Sequence, residues 1–256
     1  MRHTILLIMI GLLEGVLPAA HAADTCSARS ADVTAALLEL YTSEGCSSCP
    51  PADRWLATLP KLGWVPDRVV PLALHVDYWN NLGWKDPYSQ KIFSRRQYRL
   101  AGIVGARTVY TPQFILNGDD LPHWRSEAAA AIRRVNAIRA RANITLTLSH
   151  DTHPLEVTAD ARAKNDDHHA ELYVALYENN LVTHVDAGEN GGLTLRHDFV
   201  VRRLIGPVPL DKGTAHFTQR VTLDKEWKEN YMGVTAFVQN RDNAEVLQSL
   251  ALPLCR

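Results

Sequence analysis

Cys46 and Cys49, in the run Cys46-Ser47-Ser48-Cys49, are the residues of this chain best placed to do chemistry. Two thiols at this spacing interconvert between a dithiol and a disulfide. One attacks as the thiolate, and the other resolves the mixed disulfide that results. A structural zinc site built on C-x-x-C normally draws on a second such pair, and the other two cysteines, Cys26 and Cys255, are single and far apart. His75 and Asp77 are the next candidates. Two residues apart on a strand, they would share a face and line the cysteine cleft as proton acceptor or ligand, or simply form a hydrogen-bonded polar pair at the strand end. An imidazole from His75 added to thiolates from Cys46 and Cys49 would suit a soft ion such as Cu(I). That makes a copper-binding or copper-delivery protein the alternative to an exchange enzyme, beside a non-catalytic binding module in which the cysteines are only a local clip.

The elements that must position these residues alternate in period. Residues 35–42 read as a strand running directly into Ser43-Glu44-Gly45-Cys46. Residues 50–59 read as a helix, with prolines at its start and Asp53 in its first turn, both favoured at a helix N-terminus. A thiol at such a terminus is acidified by the unpaired backbone N–H groups and the helix dipole. A helix start at Cys46 would leave Pro50 without a needed N–H; a start at Pro50 instead would put Cys49 at the N-cap, nearer the dipole, and blur which sulfur is the nucleophile. Cys46, the upstream cysteine and expected to be the more exposed, is the assigned nucleophile.

Residues 69–76 form an apolar strand and residues 89–100 a charged helix, and Thr111-Pro112 opens a short strand, 113–116, closed by Asn117-Gly118. Trp124, Ala128, Ala131, Ile132, Val135, Ile138 and Ala142 then recur at helical spacing. The order is β-α-β-α-β-turn-α, and Pro112 stands where a cis-proline would face the C-x-x-C and, with Thr111, dock a substrate backbone. Beyond residue 143 the period is two, and seven or eight short strands separated by turns predict an all-β sandwich.

Composition narrows the classes. Lys and Arg total 27 against 28 Asp and Glu, with no basic stripe, which argues against a nucleic-acid partner. The first residues combine Met1, Arg2 and His3 with an apolar run at 5–13, Pro18 and Ala20-His21-Ala22, the layout of a secretory signal peptide. Cleavage after residue 22 leaves a mature chain with no apolar run long enough to span a bilayer, exported to the periplasm or secreted. In an oxidising compartment, Cys26 and Cys255 are expected to form a structural disulfide. It would close a loop of about 230 residues, nominally worth about 5 kcal/mol in the chain-entropy account.

Four segments carry a family resemblance: Glu39–Asp53 (ELYTSEGCSSCPPAD), His75–Asp86 (HVDYWNNLGWKD), Tyr110–Gln113 (YTPQ) and Gly188–Arg202 (GENGGLTLRHDFVVR). Together they resemble the domain-of-unknown-function family numbered 1223, secreted bacterial proteins with a thioredoxin-like fold. The resemblance implies an α/β thioredoxin-like N-terminal domain at residues 23–142, followed by the sandwich-like domain at 143–256. Similarity to thioredoxin-like proteins implies thiol–disulfide chemistry at Cys46 and Cys49 with Pro112 in the cis-proline role. No cofactor is required, and the expected partners are protein thiols or disulfides, or a redox partner that the sequence does not identify. Within the fourth segment, Glu189 and Asn190 read first as a hairpin turn; with His197 they are also positioned to reach the cysteine cleft from a loop. Trp79 and Trp84 would wall the site or pack a long loop.

Overall fold

The computed structural model describes residues 25–149, 154–164 and 169–255; the expected signal peptide at 1–22 lies outside them. In chain order the elements are β1 (Thr25–Arg29), β2 (Ala36–Thr42), α1 (Pro50–Thr58), β3 (Val69–His75), α2 (Lys91–Ile103), β4 (Gln113–Leu116), β5 (Asp119–Asp120) and α3 (Trp124–Asn136). Strands follow: β6 (Ala142–Ser149), β7 (Leu155–Ala163), β8 (Ala170–Glu178), β9 (Leu181–His184), β10 (Thr194–His197) and β11 (Val200–Pro209). The last three are β12 (Thr214–Val221), β13 (Met232–Asn240) and β14 (Val246–Pro253). No described helix is long and apolar enough to cross a membrane.

The alternation along β2 sets the layers. Ala36, Leu38 and Leu40 pack against Ala52 and Leu56 of α1 and Ala128 and Ile132 of α3. Leu37 and Tyr41 face the other way, toward Leu72 and Leu74 of β3 and Phe93 and Leu100 of α2. With both faces covered, all seven residues of β2 are buried, the usual environment of a strand with parallel neighbours. β2 pairs in parallel with β3 and antiparallel with β4.

The expected architecture of an α/β thioredoxin-like domain followed by a separate sandwich-like domain is overturned by how the strands associate. The molecule is mostly β, and its largest sheet has eight strands in the order β14-β13-β8-β11-β3-β2-β4-β5. It takes four strands from before residue 142 and four from after. β11 joins it by running parallel to β3, with Val200 opposite Ala73, and antiparallel to β8. The sheet curls until its edges meet: Val246 N at the start of β14 donates to Asn117 O in the β4–β5 turn at 3.3 Å. Tyr173, Ala175 and Phe237 therefore share one core with Leu37, Leu72 and Phe93. The opposite faces of β8 and β13 cover a four-stranded sheet, β1-β6-β7-β12, through Ile144, Leu146, Val157, Val174 and Val234. Local period identifies strands but not their partners. The burial of every residue in β8, against the alternation along β6 and β7, shows that the second half does not stand alone.

Cys26 and Cys255 are disulfide-bonded with their Cα atoms 5.7 Å apart, joining β1 in the small sheet to the residues after β14 in the large one.

One charged pair sits inside the curl. Arg96 on α2 donates to Glu39 on β2 at 2.6 and 3.0 Å and to Gln239 on β13 at 3.0 Å. Its guanidinium carbon is 4.9 Å from the ring centroids of both Tyr173 and Phe237. Removing one member of a buried pair strands the other's charge, at a typical cost of about 3–5 kcal/mol. Arg96→Met is expected to lose about that much in urea denaturation, and adding Glu39→Leu should recover part of it. A double variant no more stable than the single would contradict this account.

Candidate functional site

The site is assembled where β2 ends. The two prolines occupy the first turn of α1 and Cys49 is its N-cap, as the sequence predicts, because a proline at a first helical position gives up no hydrogen bond. Cys46 and Cys49 are joined as a disulfide with Cα atoms 5.5 Å apart. The Thr111–Pro112 bond is cis, and Cys46 Sγ lies 3.8 Å from Thr111 O and 3.3 Å from Ser48 Oγ. Trp79 Nε1 donates to Thr111 Oγ1 at 2.8 Å, so this tryptophan ties the proline loop in place. The greater exposure expected of Cys46 is not found: it is 1% and Cys49 0% exposed, while Ser47 and Ser48 face solvent.

The segment between β9 and β10 closes over this turn. Asn190 is buried, and its Nδ2 donates to Glu44 O at 2.8 Å and Cys46 O at 3.0 Å. Ser47 N donates to Glu189 Oε2 at 2.9 Å. Hydrogen bonding from Ser47, first from its backbone and then from its side chain, holds the Glu189 carboxyl below the usual carboxylate range. Gly188 explains the glycine-rich motif. Its φ is +75°, and a Cβ there would lie 3.0 Å from Trp84 Cβ, so only glycine lets the segment sit this close.

His75 and Asp77 are not brought together. β3 stops at His75, and the alternation that would align Asp77 stops with it. Asp77 turns to α2, where its backbone N–H donates to Ser94 Oγ at 3.1 Å and its carboxylate accepts from the same hydroxyl. The partner of His75 is Asp86, through Nδ1 at 2.7 Å. Burial alone depresses the His75 pKa, but the charge and hydrogen bond of Asp86 outweigh it and leave it raised. Burial likewise pushes Asp86 up, and His75 more than compensates, so that Asp86 ends low. The copper set of Cys46, Cys49 and His75 is not what the fold assembles: among the described residues, His75 shares a ligand-capable group with Asp53 and His197.

Four buried residues complete the arrangement. Glu44 accepts from Trp84 Nε1 at 2.9 Å and pairs with His197 Nε2 at 3.0 Å, and its backbone N–H donates to Asp86 Oδ2 at 2.8 Å. Asp53 accepts from Thr42 Oγ1 at 3.2 Å. Burial pushes the Asp53 carboxyl up, and the nearby His197 and His75 pull it partly back. Asp53 reads from sequence as an ordinary first-turn acid, and Glu44 and Asp86 as unremarkable polar residues. The one available signal was that Glu44, Asp86 and His197 all lie inside the segments that carry the family resemblance.

The family model described as a protein of unknown function, DUF1223, matches residues 37–239, and the chain belongs to that family. Comparison with curated proteins yields no match. Among solved structures, the chain is similar to a crystal structure of an Agrobacterium tumefaciens protein, at 26% identity and a TM-score of 0.65, over 87% of this chain and 96% of that one. It is also similar to HBP35 of Porphyromonas gingivalis, at 18% identity and a TM-score of 0.67, over 88% of this chain and 76% of that one. The second likeness is one of fold alone.

Asn190→Ala removes the donor to Glu44 O and leaves Cys46 O with only the Cys49 amide, and it is expected to cost about 1–3 kcal/mol in urea denaturation; an unchanged midpoint would contradict the bracing role. Because the Glu189 pKa is depressed in the folded state, its grip on Ser47 is complete above the unfolded carboxyl value of about 4.3. The grip is lost as pH falls through the lower folded value. The Ser47 amide resonance should titrate below about pH 4.3 in the wild type and stay flat in Glu189→Gln.

Proposed function

We propose that the chain is an exported thiol–disulfide exchange protein acting through Cys46 and Cys49 on protein thiols or disulfides, or on a dedicated redox partner. The observation that carries this reading is a bonded C-x-x-C at a helix N-terminus, with the Thr111 carbonyl beside Cys46. A substrate thiolate attacks Cys46 Sγ, the Cys46–Cys49 bond breaks, and Cys49 departs as a thiolate. Its N-cap position favours that charge through the dipole of α1, whose positive end stabilises an anion there. A second substrate thiolate then attacks the substrate sulfur of the mixed disulfide and expels Cys46. The substrate leaves as a disulfide, and two electrons have passed to the cysteine pair, which takes up two protons from the substrate thiols. The reverse sequence reduces a substrate.

The backbone edge at Thr111 and Pro112 offers a docking line for an extended substrate chain. Both sulfurs are buried, so docking includes displacement of the segment held by Glu189 and Asn190.

Equilibration with glutathione, read by alkylation and mass with Cys26–Cys255 followed separately, tests the proposal. The pair is expected to exchange reversibly, with a potential inside the range of about −270 to −120 mV spanned by C-x-x-C oxidoreductases. Cys49→Ser should accumulate a mixed disulfide at Cys46, and Cys46→Ala should abolish exchange. A pair that stays oxidised at every glutathione ratio would overturn the reading. Export is tested by the mass of the mature protein, expected to begin at Ala23.

A further inference from the structure

Behind the cysteines lies a group of side chains that the exchange chemistry does not use. One ligand-capable atom from each of Asp53, His75 and His197 lies within 4.8 Å of the others, and all three residues are buried. Three polar atoms of this group have no hydrogen-bond partner: Asp53 Oδ1, His75 Nε2 and His197 Nδ1. Leaving three such atoms unpaired together in the interior is costly unless something between them satisfies all of them.

The remaining atoms of the same side chains are all engaged. His75 gives Nδ1 to Asp86 and His197 gives Nε2 to Glu44, while Asp53 Oδ2 accepts from Thr42. A histidine fixed by a carboxylate on one ring nitrogen, with the other left free, is the arrangement that orients imidazoles toward a metal. Here it occurs twice, around one carboxylate oxygen. The charge agrees, because three buried carboxylates (Asp53, Glu44 and Asp86) surround two imidazoles that are neutral when they ligate. A cavity of about 140 Å³, lined by Pro50, Arg54, Thr194 and Arg196 together with Asp53 and His197, supplies an approach and leaves room for a further ligand.

We propose that Asp53 Oδ1, His75 Nε2 and His197 Nδ1 form a binding site for a divalent first-row transition ion, with Asp86 and Glu44 as the orienting partners of the two histidines. Two nitrogens and one oxygen suit zinc and its neighbours better than they suit the soft Cu(I). Bonds of about 2.0–2.2 Å draw the three donors modestly inward. The site is distinct from the cysteines, whose sulfurs are bonded to each other.

The test uses the full chain with both disulfides formed, titrated with Zn(II) by calorimetry, with Co(II) absorption as a second probe of nitrogen and oxygen ligation. One equivalent of zinc is expected to bind and to raise the melting temperature. Asp53→Asn is isosteric and retains an oxygen for Thr42, so it should fold like the wild type yet lose tight binding. Glu44→Gln and Asp86→Asn, one step removed, should weaken zinc about 10–100-fold. Cys46→Ser/Cys49→Ser should bind as the wild type does. The proposal is overturned if the oxidised protein takes up no stoichiometric zinc, if Asp53→Asn binds equally well, or if binding requires reduced cysteines.

Discussion

A single parallel contact, Val200 of β11 against Ala73 of β3, is the constraint on which the rest of the molecule depends. Through it the strands from the second half of the chain extend the sheet begun by the first, reinforced by Ala73 N donating to Phe199 O at 2.8 Å. Because β10 ends only three residues before β11 begins, fixing β11 also fixes His197 beside Glu44 and positions the preceding glycine-rich segment over the cysteines. A sheet that ended at β3 would leave Glu44 facing water on one side and Cys46 uncovered.

The buried carboxylates follow from that placement. Glu44 comes from the turn after β2, Asp53 from α1 and Asp86 from the loop before α2, and each accepts or is braced by a hydrogen bond from a neighbouring element: Glu44 N to Asp86, Thr42 to Asp53, Trp84 to Glu44. In a low-dielectric interior such a network rigidifies the backbone that carries it. Here that backbone is the turn 43–46, which delivers Cys46 to the Thr111 edge. The cysteine pair and the Asp53–His75–His197 group are therefore two faces of one structure: Asp53 N donates to Cys49 O, so the residue that orders the helix start behind Cys49 also offers Oδ1 to the histidines.

The sequence makes much of this legible, unevenly. Period and proline position locate β2, α1 and β3 to within a few residues, since burial on one or both faces writes directly into the spacing of apolar side chains, whereas α3 starts at Trp124 as expected but stops at Asn136, and Ala142, counted in its spacing, already opens β6. The cis-proline position follows from the order of elements. Pairing does not, because nothing in the alternation of β8 or β13 names a partner strand; only the nearly unbroken burial of these strands betrays that both their faces are covered. The same holds for the histidines. His75 and Asp77 look like partners because they are two apart, but the strand ends at His75, and the true partner comes from a loop eleven residues on. A contact set by where a strand stops is invisible to a rule that assumes it continues.

The bond between Cys26 and Cys255 has a mechanical meaning. The chain between these residues is a closed covalent loop, and the two sulfurs link the small sheet to the residues that follow β14 of the large one. A pull applied across the two ends is carried by the S–S bond and bypasses the ladder between β13 and β14 and that between β1 and β6. Those ladders become load-bearing only once that one bond is cut by a reductant, so the resistance of the folded body to stretching is set by chemistry at its rim and not by the strength of its core.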